Sequence, residues 1–336
     1  VLEIANRTPF CAALAPSLDK HGVDFADVVV KATYAVTAAG QVSVAEAQVP
    51  ILEVNEHAGD PATSGIVRAA DLGPAKTGTD VVLLGHAYAP RGRARSADVG
   101  LQVGPVRKVV RVLGERRWVR SLGAWVASDP VEFERIPLVW ERAYGGRDES
   151  DAKKPAFEPR NPAGTGFAAS SSKERLEGLA LPNLEDPRDL VRSWNTRPAP
   201  AGFGFVAPSW VPRSRYAGTY DAAWEEDRLP LLPDDFDERF HSTATAELQA
   251  RPHLLGGEPV RVVGATLQGD LTFALPRPSF QITVWLRGQP SKHRPLLDTV
   301  VVEPDDGRVV LTYRASVPCP RRFLQLEAIL VEEARS

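Results

Sequence analysis

From Val28 to Val36 the chain alternates: Val28, Val30, Ala32, Tyr34 and Val36 fall on one side, Lys31 and Thr33 on the other. A period of two belongs to a strand with one buried face. Ala39-Gly40 supplies turn chemistry, and Val42–Val44 begins a second strand. The same patterning predicts strands at Asp80–Tyr88, Asp98–Val103 and Val106–Leu113, and it returns at the far end of the chain. Phe280, Ile282, Val284 and Leu286 alternate with Gln281, Thr283 and Arg287. Leu297–Glu303 and Arg308–Ala315 flank Pro304-Asp305-Asp306-Gly307 and read as a hairpin. Arg321–Val331 keeps the period of two through Leu324, Leu326, Ala328 and Leu330, and reads as a last strand. Each of these strands has an apolar face to cover. The expected fold is therefore mainly β, with sandwich-like packed sheets from the N- and C-terminal flanks. Whether the flanks form one core or two is left open.

The middle of the chain has another character. It contains Glu141-Arg142-Ala143-Tyr144-Gly145-Gly146, Asn161-Pro162-Ala163-Gly164-Thr165-Gly166-Phe167 and Leu181-Pro182-Asn183-Leu184-Glu185. Gly202-Phe203-Gly204, Trp210-Val211-Pro212-Arg213, Gly218-Thr219-Tyr220-Asp221 and Asp234-Asp235-Phe236-Asp237 follow. Gly and Pro punctuate the backbone while Trp, Tyr and Phe supply large apolar anchors between the breaks. A flexible linker would lack the aromatics, and a helical domain would lack the breaks. The division expected is a β-rich part over 1–130, an irregular aromatic, Gly- and Pro-rich insert over 131–255, and a β-rich part over 256–336. One helix is expected in the insert, at His241–Ala250 with Ser242 as its N-cap. Trp140, Tyr144, Phe167, Trp210, Tyr220 and Trp224 are expected to be mostly buried or to line one connected groove. The insert suits recognition of a large partner.

This order of motifs, together with Asn6-Arg7-Thr8-Pro9-Phe10, Val28–Tyr34 and Lys76-Thr77-Gly78-Thr79-Asp80-Val81, resembles the family catalogued as domain of unknown function 2169. The acidic motif closes with Phe240-His241 where the family pattern closes with two Phe. The resemblance implies a role in bacterial type VI secretion, as an adaptor chaperone that holds a toxic effector and helps load it onto the spike protein. It brings no catalytic residues.

Composition narrows the alternatives. At 336 residues, with 43% hydrophobic and 25% charged residues, the chain has the makeup of a globular protein with a substantial core. A net charge of −3 gives no reason to expect bulk attraction to nucleic acid or to an anionic membrane. Its 29 Pro and 26 Gly argue against a mostly helical protein. No run approaches the ~20 apolar residues of a membrane helix. Val1–Arg7 lacks a basic region followed by an apolar core, so no signal peptide and a bacterial cytoplasmic location are expected. Cys11 and Cys319 lack Cys-x-x-Cys spacing and read as two free buried thiols.

Several constellations invite sharper readings. Gly202-Phe203-Gly204-Phe205-Val206-Ala207 fits G-x-G-x-x-A, but that fingerprint should follow a strand and open a helix. Here it follows Arg197-Pro198-Ala199-Pro200-Ala201, so a Gly-hinged turn packing Phe203 and Phe205 is favoured. Asp234, Asp235, Asp237 and Glu238 lack the spacing of a cation loop and read as a solvated acidic face that could meet a basic partner. The basic run from Arg91 to Arg120 carries no recognisable nucleic-acid module and reads as a charged strand edge. The six His are scattered, so neither metal nor cofactor is expected. The platform or partner-binding candidates are Trp140, Glu141, Arg142, Tyr144, Asn161, Phe167, Asn183, Phe203, Trp210, Tyr220, Asp221, Trp224, Asp234, Asp235 and Asp237. A non-enzymatic adaptor is the leading expectation. The alternatives are a carbohydrate-active enzyme using Glu141 with an Asp of the 234–237 cluster, and a structural subunit of the secretion machine.

Overall fold

The computed structural model describes residues 4–150, 153, 155–319 and 325–334. Its centre is a sheet that the two ends of the chain build together. Asp24–Val36 pairs antiparallel with Arg308–Pro318, in a register running from Ala35 opposite Arg308 to Phe25 opposite Pro318. Beyond Arg308–Pro318 lie Leu296–Glu303, Thr79–Leu83 and the two-residue edge strand Gln249–Ala250. Beyond Asp24–Val36 lies Cys11–Leu18, and Val42–Val44 also pairs with the long strand. The hairpin expected at Pro304–Gly307 is present, with Glu303 opposite Arg308 and Gly307 at φ 59°.

Two further sheets pack around this one. Leu184–Glu185, Val106–Leu113, Ser96–Val103, Pro259–Val263 and Leu271–Ala274 form an antiparallel sheet in that order. Ile4–Asn6, Leu326–Glu333, Phe280–Leu286 and Gln289–His293 form another. Buried side chains of all three sheets belong to one hydrophobic core. Phe280 joins the smaller sheet to the centre, with its ring 5.6 Å from Phe10 and 5.2 Å from Tyr313 in edge contacts. A second, smaller core holds Trp118, Tyr144, Leu176, Leu181 and Val191. The fold is mainly β, with sheets packed face to face as the alternation predicts. No helix among the described residues is long and apolar enough to cross a membrane.

Several expectations are corrected. Asp24–Val36 is buried on both faces rather than one, because residues 45–76 cover its polar side. Lys31 Nζ donates to Asp71 Oδ2 at 2.7 Å and to the Pro50 carbonyl at 2.9 Å, and the Thr33 N–H donates to Gln48 Oε1 at 2.8 Å. The strand expected at Asp80–Tyr88 breaks at Gly85, whose φ is 143°. Thr79–Leu83 stays in the central sheet, while His86–Tyr88 leaves to pair with Arg135–Pro137. The helix expected at His241–Ala250 does not form. Two 3₁₀ turns, Glu238–His241 and Ala246–Leu248, precede the edge strand. Asp80 Oδ2 accepts both the Thr243 N–H, at 2.6 Å, and the Thr243 hydroxyl, at 2.9 Å, which ties this stretch to the central sheet, with Ser242 and Thr245 on either side in extended conformation. The last strand is Leu326–Glu333; the part of Arg321–Val331 before Gln325 lies outside the described residues. Cys319 is buried and free, but Cys11 is only half-buried.

Candidate functional site

The motifs of the insert bond mostly to one another. Asn161 is fully buried, and its side-chain amide donates to the carbonyls of Trp140 at 2.8 Å and Tyr144 at 3.1 Å. Asn183 donates through Nδ2 to the Leu113 carbonyl at 2.9 Å and so ties the insert to the antiparallel sheet. Arg142 ion-pairs with Glu115. Buried Glu185 accepts from Arg116 and from the Val191 N–H, the latter at 2.8 Å. The glycines permit close approach: a Cβ on Gly145 would sit 2.1 Å from the Asn161 carbonyl oxygen. Many buried carbonyls and amides are thus matched inside an irregular segment without regular secondary structure, although Asn161 Oδ1, Trp140 Nε1 and the Tyr144 hydroxyl have no hydrogen-bond partner among the described residues.

Gly202 and Gly204 owe their place to Trp140. A Cβ at Gly202 would meet the indole six-membered ring at 2.9 Å, and one at Gly204 would lie 3.3 Å from the indole nitrogen. Phe203 and Phe205 are buried, as expected, but the glycines serve close packing rather than a hinge. Trp210 meets Trp140 edge-on at 6.0 Å.

Trp140 also divides two clefts. The larger, about 690 Å³, lies between the insert and the edge of the central sheet. Its apolar lining includes Pro200, Val206, Val211, Pro212 and Trp140, and Tyr216 lines it as well. Its charged lining comprises Lys108, Arg160, Arg213, Arg239, Arg251, Asp186 and Glu247. Lys108 Nζ lies 3.2 Å from Glu247 Oε2, and burial pushes its pKa down while Glu247 opposes the shift. Arg188 bridges Asp186 at 2.8 Å and Glu247 at 3.5 Å. Arg160 pairs with Glu158 at 2.7 Å, and Arg239 with Asp237 while stacking over Tyr216 at 4.3 Å. Arg213 differs. Its guanidinium donates to the carbonyls of Phe240 at 2.8 Å and Val206 at 2.6 Å and lies over the Phe240 ring at 5.3 Å. Burial without a paired carboxylate pushes its pKa down to about 10, an effect that Asp80 only partly offsets.

The smaller cleft, about 270 Å³, is lined by Glu141, Arg68, His86, Glu303, Asp305 and Asp306. Its carboxylates are engaged: Glu141 accepts the Gly65 N–H at 2.7 Å, and Asp305 accepts from Tyr88 at 2.8 Å and contacts His86 Nδ1 at 2.7 Å. Glu303 pairs with Arg68 and Arg308. Asp234, Asp235 and Asp237 do not share this cleft with Glu141. They build turns elsewhere. Asp235 accepts the Thr219 N–H at 2.9 Å and hydroxyl at 2.8 Å, Asp237 caps the Glu238–His241 turn, and Asp234 faces solvent beside Arg228.

The candidates therefore divide. Trp140, Tyr144, Asn161, Phe167, Asn183, Phe203 and Trp210 are buried, and Arg142 is held by its partners, so these residues form the scaffold. Tyr220, expected to be mostly buried or to line a shared groove, is 53% exposed, Trp224 is only half-buried, and neither lines the larger cleft. Both sit on a small lobe where Asp221 caps the helix Ala222–Asp227 and accepts the Trp224 N–H at 3.0 Å. That helix has too few residues to bury two large aromatics. Of the basic run, Arg93, Lys108, Arg111 and Arg116 are ion-paired. Sequence reasoning missed Lys108, Arg213, Tyr216 and Arg251 as cleft residues. The one visible signal was an Arg placed directly after the apolar Trp210-Val211-Pro212. Among the described residues no group of His, Cys, Asp and Glu is arranged to hold a metal ion.

No curated protein and no solved structure matches the chain. The family model described as an uncharacterized protein conserved in bacteria, domain of unknown function 2169, matches residues 21–314, and the chain belongs to that family.

Proposed function

We propose that this protein is a non-enzymatic adaptor that binds a toxic effector and helps load it onto the spike protein of a type VI secretion system. The observation that carries the reading is the large cleft on a rigid, motif-built scaffold. Its walls mix apolar and charged groups, and most of its charges are held in ion pairs, within the lining or just behind it, rather than converging on a reacting atom. Such a surface suits capture of a protein segment. The exposed lobe adds a second surface: Tyr220 and Leu229 are exposed, as are Glu225, Glu226, Asp227 and Asp234 of the same segment. That acidic surface would speed encounter with a basic region of the effector.

The test compares strains with and without the gene. Export of the effector encoded nearby and its co-purification with the spike protein are expected to be lost in the deletion strain and restored by the gene in trans. If both proceed equally well without it, the adaptor reading is wrong.

A further inference from the structure

We propose that the 690 Å³ cleft holds an extended, carboxylate-bearing segment of the bound protein, with the carboxylate seated on Arg213 and Arg251. From the adaptor reading this takes only that the occupant is a protein segment.

The argument starts from matched charges. Lys108 has Glu247, Arg160 has Glu158 and Arg239 has Asp237. Asp186 and Glu247, the acidic groups of the lining, are in turn held by Arg188. Two lining cations are left over. Among the described residues neither Arg213 nor Arg251 has a carboxylate within ion-pair distance, and Arg251 donates only to Gln249 Oε1, at 3.1 Å. A surface Arg without a partner is ordinary. Arg213 is not in that position, because much of its guanidinium is out of water while its neighbours offer only neutral carbonyls. An ion removed from water without a counter-ion is costly, and an anion arriving in the cleft would relieve that cost.

Shape and charge identify the occupant. The guanidinium fork matches a planar carboxylate, and Pro200, Pro212, Val206 and Trp140 give the flanking chain apolar contact. Gln249–Ala250 is the last strand of the central sheet and borders the cleft. Its outer side has no strand partner among the described residues, but the Gln249 N–H is already bonded to the Ala246 carbonyl, so an extended segment would be held there by side-chain contacts rather than by a strand ladder. The volume falls within the roughly 300–1,000 Å³ of ordinary ligand sites, enough for a short stretch of chain rather than a domain.

The experiment uses fluorescence anisotropy on the full chain. One set of labelled probes is short overlapping peptides tiled across the nearby effector. A second is short Pro/Val/Ala peptides carrying one Glu, with a matching Gln set. Glu peptides are expected to bind, and their Gln counterparts to bind about tenfold or more weakly, the effect of losing a charge-assisted contact. Arg251→Glu, at an exposed position that leaves the fold intact, should weaken binding by a similar factor. Ala246→Trp, on the cleft wall, should block it. Arg213→Lys keeps the charge but loses the fork and should give an intermediate loss. Equal binding of Glu and Gln peptides, indifference to Arg251→Glu and Ala246→Trp, or no binding of any probe would overturn the proposal. So would competition by acetate or inorganic phosphate as strong as that by peptide, which would mark a small-anion site. If the whole effector binds wild type and Arg251→Glu equally, the adaptor reading stands and the cleft assignment falls. If a Glu peptide binds the cleft but the effector does not, the cleft assignment stands and the adaptor reading falls.

Discussion

Arg142 and Asn183 bond to each other twice. The Arg142 guanidinium donates to Asn183 Oδ1 at 2.9 Å, and the Asn183 N–H donates to the Arg142 carbonyl at 2.8 Å. Two of the motifs that mark the middle of the chain thus close on each other, and Asn183 carries the link on to Leu113 in the antiparallel sheet. Replacing either with Ala should destabilise by about 1–3 kcal/mol, because buried polar groups on the other side lose their partner. A double-mutant cycle in urea should give a coupling of about 1 kcal/mol. Additive losses would mean that the two side chains act separately.

Gly145 should tolerate no side chain. Its φ is 151°, and a Cβ would run into the Asn161 carbonyl. Gly73 has a similar φ of 143° with nothing within 4 Å of a Cβ, so it isolates backbone strain from collision. Gly145→Ala should therefore cost about 2 kcal/mol more than Gly73→Ala in equilibrium unfolding. Equal costs would show that the loop around Asn161 gives way freely.

Trp140 and Trp224 should differ sharply. Trp140 is 5% exposed, packs on Trp210 and lies under Gly202 and Gly204, so Trp140→Ala should cost about 3–5 kcal/mol. Trp224 is half-buried, with its ring 4.7 Å from Tyr220 and its indole N–H donating to the Leu231 carbonyl at 2.9 Å. Trp224→Ala should cost only about 1–2 kcal/mol. A larger loss there would mean that the lobe is part of the main core.

His241 should make stability fall in mild acid. Burial, helped by nearby Arg213, pushes its pKa down to about 4, despite Glu238 at 3.2 Å from Nε2. In the unfolded chain it takes up a proton near the ordinary 6.5, so between these values the unfolded state binds more protons. Stability is then lost as pH falls from about 6.5 to about 4, by on the order of 2–3 kcal/mol. His241→Phe keeps a ring against Phe236, 5.3 Å away in the native chain, and should flatten that limb. The buried carboxylates Asp148 and Asp298 are held down to about 2, so their losses fall below pH 3.8 and stay separate. Identical slopes for variant and wild type between pH 4 and 6.5 would show that His241 is not held neutral.

The same residue shows how a His can take the place of an aromatic ring. A neutral imidazole, 5.3 Å from Phe236 and 6.1 Å from Phe240, packs as a third ring in this cluster. The sequence shows a His beside Phe240, whereas the environment that makes it a packing ring rather than an added charge is tertiary.

The β character of the flanks was legible in the chain because strand alternation is local: every second residue must meet the same surface. Val28–Val36, Val106–Leu113, Phe280–Leu286 and the Pro304–Gly307 hairpin all read correctly for that reason. Which strands share a sheet was not legible, since pairing Asp24–Val36 with Arg308–Pro318 joins segments from opposite ends. Lys31 looked like a solvent-facing residue, and only the cover of residues 45–76 made it a buried ion-pair partner of Asp71. The motifs of the insert marked where irregular structure lies, because Gly, Pro and aromatic residues announce turns and anchors locally. Their partners did not show. Asn161 needs Trp140 and Tyr144, Thr243 needs Asp80, and Arg213 has only carbonyls where a carboxylate would be expected. A hydrogen bond or an unpaired charge is a relation between distant positions, and only the folded chain brings those positions together.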